Sequence, residues 1–189
     1  MLPDPGGRAQ APEPLRAVQL FVNTIDSENV IEELTSVEEL RRALVRTGVL
    51  DSGERLDPAD LEVAIGVREG LRALLLANNG VPADAAALEP LERAADAARF
   101  TLVVAGGTRT RLVPTATGID GALGRLLAIV HESAHDGSLK RLKACCRDVC
   151  LWAFYDRSRN GSGKWCAASV CGNRTNTKAY RRRKGGIAR

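Results

Sequence analysis

Large aromatic side chains are nearly missing from the first 150 residues. Phe21 and Phe100 occur there; Trp152, Phe154, Tyr155, Trp165 and Tyr180 all follow. With 44% hydrophobic residues overall, the upstream core must be filled by Leu, Val and Ala, a composition that favours helices packed on helices. No apolar run is long enough to cross a bilayer, which excludes a spanning helix and leaves no membrane role expected. The opening stretch, MLPDPGGRAQAPEP, lacks the basic and apolar segments that a secretory signal needs. A cytoplasmic location is therefore expected. Histidine occurs only twice, and cysteine is absent outside residues 145–171. No internal repeat is visible.

Acidic residues are scarce at one end. Residues 1–139 hold 13 Lys and Arg against 21 Asp and Glu, a net −8, whereas residues 140–189 hold 14 against 2, a net +12. A basic module on an acidic domain implies a polyanionic partner for one part only.

What is present is concentrated in CCRDVCLWAFYDRSRNGSGKWCAASVC, residues 145–171, which contains all five cysteines. Four of them form two pairs of equal spacing, Cys145-x4-Cys150 and Cys166-x4-Cys171, fifteen residues apart. Thiolates delivered from two loops suit the tetrahedral corners of one structural zinc ion, so Cys145, Cys150, Cys166 and Cys171 are the expected ligands. Two disulfides or buried free thiols are the competing readings; a reducing cytosol favours the metal. Cys146 is spare.

Between the pairs, Trp152, Phe154 and Tyr155 form a β-like run. The polar turn from Ser158 to Gly163 leads back into Lys164-Trp165-Cys166, which reads as a hairpin with positive-φ residues at Asn160-Gly161. Asn173 is placed to cap a helix running from Thr175 to about Lys184. Knuckle, hairpin, knuckle and helix make a ββα, treble-clef-like finger. At about 40 residues it cannot bury enough surface alone, so the metal supplies much of its folding free energy.

Upstream, residues 1–14 are rich in proline and glycine and expected to be disordered. Leu15 to Ile25 is apolar at helical spacing. Ser36 with Glu39 forms a capping box before a helix over Val37–Thr47, stopped by Gly48. A long helix follows over Pro58–Ala77, with Leu61, Ile65, Leu71, Leu74 and Leu75 on its buried side. Residues 83–98 are helical and alanine-rich, with a kink or split expected at Pro90. A β-hairpin at about 99–114 turns at Gly106-Gly107, its Arg109 and Arg111 facing away from Leu112. A last helix spans about Gly121–Ala134. The fold class is thus mostly α with a small β-hairpin (α+β): a helical domain over 15–139, a zinc finger over 140–184 and a flexible tail over 185–189.

The run Cys150-x-Trp152-x-Phe154-x-Asp156-x-Ser158-Arg159-Asn160, followed by Trp165-Cys166-x4-Cys171-Gly172-Asn173-Arg174, resembles the CGNR zinc finger of bacterial proteins. Relatives often carry methionine where this chain has Ala168, a position expected to pack. Upstream, Gln19-Leu20-Phe21-Val22-Asn23-Thr24 is similar to the LDFVNT motif of the ABATE domain, with Gln19 and Leu20 in place of its leucine and aspartate. The resemblance implies stress-induced transcription regulation, DNA binding by the finger and an N-terminal sensing or dimerisation domain with a small-molecule or protein effector.

Three functions follow from the residues. The first is nucleic-acid binding, with double-stranded DNA the expected partner. Arg174, Lys178, Arg181, Arg182, Arg183 and Lys184 sit on the final helix, and Arg157, Arg159 and Lys164 decorate the hairpin. Arg174 could alternatively hydrogen-bond a zinc-bound sulfur, with Asn173 as the helix cap. The second is a redox- or metal-responsive interaction module in which Cys146 pairs with a ligand and ejects the metal. The third is a zinc peptidase through His131, Glu132 and His135, an H-E-x-x-H pattern. Its helix is cut short by Gly137 and no third histidine exists, so it reads as a solvated helix end; no catalytic residue is assigned and the protein is not expected to be an enzyme.

Overall fold

The computed structural model describes residues 9–104, 106 and 110–177. Five α-helices form the frame: α1 (Arg16–Val22), α2 (Val37–Arg46), α3 (Pro58–Ala77), α4 (Ala85–Ala98) and α5 (Gly118–His135). Three antiparallel two-stranded pairs complete the fold: β1 (Ile25–Asp26) with β2 (Ile31–Glu32), β3 (Phe100–Val104) with β4 (Thr110–Pro114), and β5 (Leu142–Ala144) with β6 (Ala153–Tyr155). The class is α+β, as expected. No described helix is long and apolar enough to cross a membrane.

Local signals fix the helix starts. The Ser36 hydroxyl accepts the Glu39 amide at 3.2 Å and opens α2. Asp57 and Asp60 form a reciprocal capping box around Pro58, which opens α3. Pro90 neither splits nor ends α4. The space above Gly66 of α3 receives its ring, since a Cβ at Gly66 would lie 3.6 Å from that of Pro90. Packing against α3 offsets the hydrogen bond that the proline removes.

The buried side of α3 is less apolar than its leucines imply. Leu71 and Leu75 are fully buried, but so are Arg68 and Arg72, at 2% and 3% exposure. Arg68 forks onto Glu32 of β2 at 2.7 and 2.8 Å and reaches Glu69 at 2.8 Å. Burial opposes the Arg68 charge, and these carboxylates more than restore it, leaving its pKa above the ordinary value. The β1–β2 pair, too short and polar to be legible in sequence, is thereby tied to α3.

Among the described residues there are two buried clusters, a small one around the cysteines and a larger one that reaches from the helices into the first strands of the finger. The larger joins Leu15, Val18 and Phe21 of the α1 region, Leu40 and Leu44 of α2, Leu71 and Leu75 of α3, and Leu123 and Leu126 of α5 to Leu142, Ala144 and Ala153 of β5 and β6. The first strands of the finger therefore belong to the same core as the helices. Residues 9–14, expected to be disordered, are part of this packing. Ala11 is buried, and the Ala9 carbonyl accepts the Tyr155 amide at 3.0 Å.

Close approach of α5 to the β3–β4 hairpin requires Gly124. A Cβ there would lie 2.6 Å from Ala98 Cβ and 2.8 Å from Pro114 Cβ. Gly124→Ala should destabilise the protein by about 1–3 kcal/mol through overpacking. A lowered urea midpoint with unchanged zinc content is the expected result.

Candidate metal centre

The first knuckle is the turn of a hairpin. β5 and β6 pair in the register Leu142–Tyr155, Lys143–Phe154 and Ala144–Ala153, and the chain reverses between them. The Cys145 amide donates to Trp152 O at 3.0 Å, and the Cys150 amide to Arg147 O at 2.8 Å. Leu151, at φ 52°, takes the left-handed conformation that swings the chain out of the knuckle. The sequence placed a hairpin between the Trp152 run and Lys164–Cys166; the strand partner of β6 is instead β5, upstream of Cys145. The apolar side chains of Leu142 and Ala144 complete the core there, whereas Lys164 is exposed.

The second knuckle is a π-helical turn, Ala168–Gly172, in which the Cys171 amide donates to Ala167 O at 2.9 Å. Helical structure continues through 173–177. Asn173 has helical φ and ψ and donates to Ser169 O at 2.9 Å, so it lies inside the helical run rather than capping it. Ala168, expected to pack, is exposed.

These turns bring Cys145, Cys150, Cys166 and Cys171 together, with their sulfurs all within 4.8 Å of one another and all four residues buried. Cys150 and Cys171 each lie 3.6 Å from Cys166 by sulfur separation. A tetrahedral zinc site with bonds of about 2.3 Å needs sulfurs about 3.8 Å apart, so the four fit the ion. As bare thiols they compete for protons. Hydrogen bonds from Cys150 and Cys166 hold the Cys145 thiol down to about 3, and the same contacts push those two thiols up. A divalent ion removes the competition by taking all four as thiolates, which closes its coordination sphere and makes it structural. Trp152 and Phe154 pack on the cluster as its apolar wall. Cys146 stands outside it. Burial pushes its thiol up, and its sulfur faces Asn79 O at 3.7 Å, the reverse of a thiol primed for oxidation.

The polar turn is wound around Asp156. Its buried carboxylate receives Lys143 Nζ at 2.9 Å and the amides of Ser158 and Gly163 at 3.0 and 2.7 Å. Burial opposes its ionisation, but Lys143 and these donors hold its carboxyl well below the usual range. That contribution to stability is present above the ordinary aspartate pKa and is lost as pH falls through the depressed one. Gly161, at φ 60°, makes the turn as expected, and its carbonyl accepts Lys143 Nζ at 2.5 Å.

Side chains of the helical domain hold the first knuckle, its flanking strands and the chain just before Cys166. Asn23 of the Gln19–Thr24 motif grips Ala153 at both backbone atoms, at 2.8 and 2.9 Å. Gln19 adds a bond to Ala153 O at 3.2 Å. Arg72 donates to Leu151 O at 2.9 Å and Val22 O at 2.8 Å, spanning the two domains. Asn79 donates to Ala144 O at 2.8 Å and Lys164 O at 2.9 Å.

Other anticipated residues are scattered. Arg157, Arg159 and Lys164 are exposed around the Asp156 turn, Arg157 also donating to Gln10 O at 3.0 Å. Arg174 pairs with Glu28 rather than with sulfur. The guanidinium nearest the cluster is that of Arg147, 4.0 Å from Cys171 Sγ and 2.8 Å from Glu28. Sequence reasoning missed Arg147, although its position inside the first knuckle was a signal. Lys178, Arg181, Arg182, Arg183 and Lys184 lie outside the described residues, as does Arg109. His131, Glu132 and His135 sit exposed at the end of α5, where His135 Nδ1 faces the His131 carbonyl at 2.9 Å. No third ligand joins them among the described residues. A groove of about 360 Å³ is lined by Ala17, Val49, Val113 and Ile129 together with Arg111 and Arg125.

Residues 141–184 match the CGNR zinc finger model, and residues 15–137 match ABATE, described as "Putative stress-induced transcription regulator". No curated protein matches the chain.

Two measurements check this centre. Elemental analysis should give one zinc per chain, retained in Cys146→Ser and lost in Cys145→Ser. Arg72→Met, which touches no sulfur, should weaken zinc binding about tenfold, within the range for residues that orient ligands indirectly. Unchanged affinity would show that the knuckle holds its shape without the helical domain.

Proposed function

We propose, from the premise that the chain belongs to the ABATE family and closes on a CGNR zinc finger, that it is a zinc-dependent regulator whose finger binds double-stranded DNA. The observation that carries this reading is the placement of charge. Residues 140–189, which hold the finger, have a net +12, or about +10 once four thiolates and a zinc ion are counted. Around the Asp156 turn, Arg157, Arg159 and Lys164 are exposed. The lone acidic side chain of that turn is buried and neutralised by Lys143. A turn that hides its carboxylate and exposes its cations suits a phosphate backbone.

Zinc takes no part in chemistry here. It fixes the two knuckles, and they fix the turn and the start of the final helix. Residues Lys178 and Arg181–Lys184 extend the basic sequence beyond the described part. Contacts of this kind give affinity with little preference among sequences.

The full-length zinc-loaded protein should bind duplex DNA with log K falling against log salt at a slope of about −4 to −5, for roughly four to six phosphate contacts. Arg159→Ala and Lys164→Ala should each lower affinity for all sequences alike and shrink that slope by about one. Binding that ignores salt, or that survives zinc removal unchanged, would leave the finger as a protein-docking module.

A further inference from the structure

Glu28 lies in the turn between β1 and β2, in the acidic part of the chain, yet its carboxylate is spent on the finger. One oxygen accepts Arg147 Nη1 at 2.8 Å, and the other accepts Arg174 Nη1. Arg147 comes from the first knuckle and Arg174 from the helical run that follows the second. The two guanidinium groups thus converge on one anion from both halves of the metal site. Two oxygens of a single carboxylate, each held by a separate arginine, reproduce what two non-bridging oxygens of a phosphodiester would offer.

The occupant sits on a small support, a turn braced within itself by the Asp26 carboxylate, which accepts the Glu28 and Asn29 amides at 3.1 and 3.2 Å. β1 and β2 make only two residue pairs, Ile25–Glu32 and Asp26–Ile31. The hairpin is fixed at its base, where Glu32 meets Arg68, but its tip projects: Val30 is 88% exposed and sits at φ 56°, a conformation β-branched residues rarely adopt. The Glu28 side chain keeps 25% of its exposure and that of Arg174 keeps 56%, so solvent and a ligand reach the pair from outside. Small elements with few buried contacts are the ones that open first.

We propose that Arg147 and Arg174 form a binding fork for one backbone phosphate of nucleic acid, and that Glu28 is its built-in occupant, displaced when the polyanion binds. This rests on the DNA-binding reading above and adds to it a specific contact and a restraint on affinity. The helical domain then tunes the finger directly: anything that moves the β1–β2 tip changes how readily the fork is vacated.

The test uses the full-length zinc-loaded protein and duplex DNA at several salt concentrations. Glu28→Gln keeps the shape of the side chain and removes its charge. It should bind DNA about three- to tenfold more tightly, with one zinc per chain retained. Glu89→Gln, on α4, makes the same change of net charge away from the fork and should move affinity much less. Adding Arg174→Ala to Glu28→Gln should erase the gain and reduce the salt slope by about 0.9, the value of one lost phosphate contact. Salt-dependent binding that is equal in wild type and Glu28→Gln overturns the fork while the DNA-binding reading stands. Loss of zinc in Glu28→Gln overturns it also, and makes Glu28 a clamp for the knuckles. Absence of salt-dependent binding in every variant overturns both.

Discussion

Everything at the C-terminal end depends on four sulfurs that must occupy one small buried volume. As thiols they are weak donors with only one another as acceptors, and as bare thiolates they would repel. A divalent ion turns that conflict into four bonds, and the backbone geometry around it follows. The left-handed Leu151 and the π-helical turn at Ala168–Gly172 are conformations a short chain would not choose alone. The cluster compensates for them, as does the buried ion pair of Lys143 with Asp156 that holds the intervening turn.

The metal site is not self-contained. Arg72 puts a hydrogen bond from the helical domain onto the first knuckle at Leu151, Asn23 and Asn79 bond the strands on either side of it, and Leu142, Ala144 and Ala153 are core residues shared with α1 and α3. Arg72 is the central case. A buried guanidinium is costly unless every donor is used; here it bonds Glu69, Val22 and Leu151 at once. The shape of the first knuckle is thereby made to depend on a helix roughly eighty residues upstream, which is how an event on the helical domain could reach the finger.

The parts of this account that could be read from sequence are those set by local chemistry. Cysteine spacing named the ligands because tetrahedral thiolate coordination tolerates few alternatives, and Cys146 was separable from Cys145 by the matching x4 pairs. Ser36 and Gly48 announced the two ends of α2 because capping is a matter of neighbouring residues. What stayed hidden is long-range. Nothing near Asn23 says that its amide will grip Ala153, and nothing near Glu28 says that it will meet Arg147 and Arg174. The strand partner of β6 was misread for the same reason. The turn formers at Ser158–Gly163 looked like a hairpin loop, but their amides are used by Asp156, and the ladder bonds of β6 go to β5. Residues 9–14 looked disordered by composition, yet Ala9 and Ala11 bond to Tyr155 and Gln19.

The central claim is that zinc, finger and helical domain form one cooperative structure. Hydrogen exchange of the full-length protein before and after zinc is removed by a chelator tests it most directly. Loss of the ion should release protection in β5, β6 and the knuckles and, together with them, in α1 around Val22–Asn23 and in the second half of α3 around Arg72–Asn79. Loss confined to residues 142–177, with α1 and α3 as protected as before, would contradict the account and make the finger an independent module.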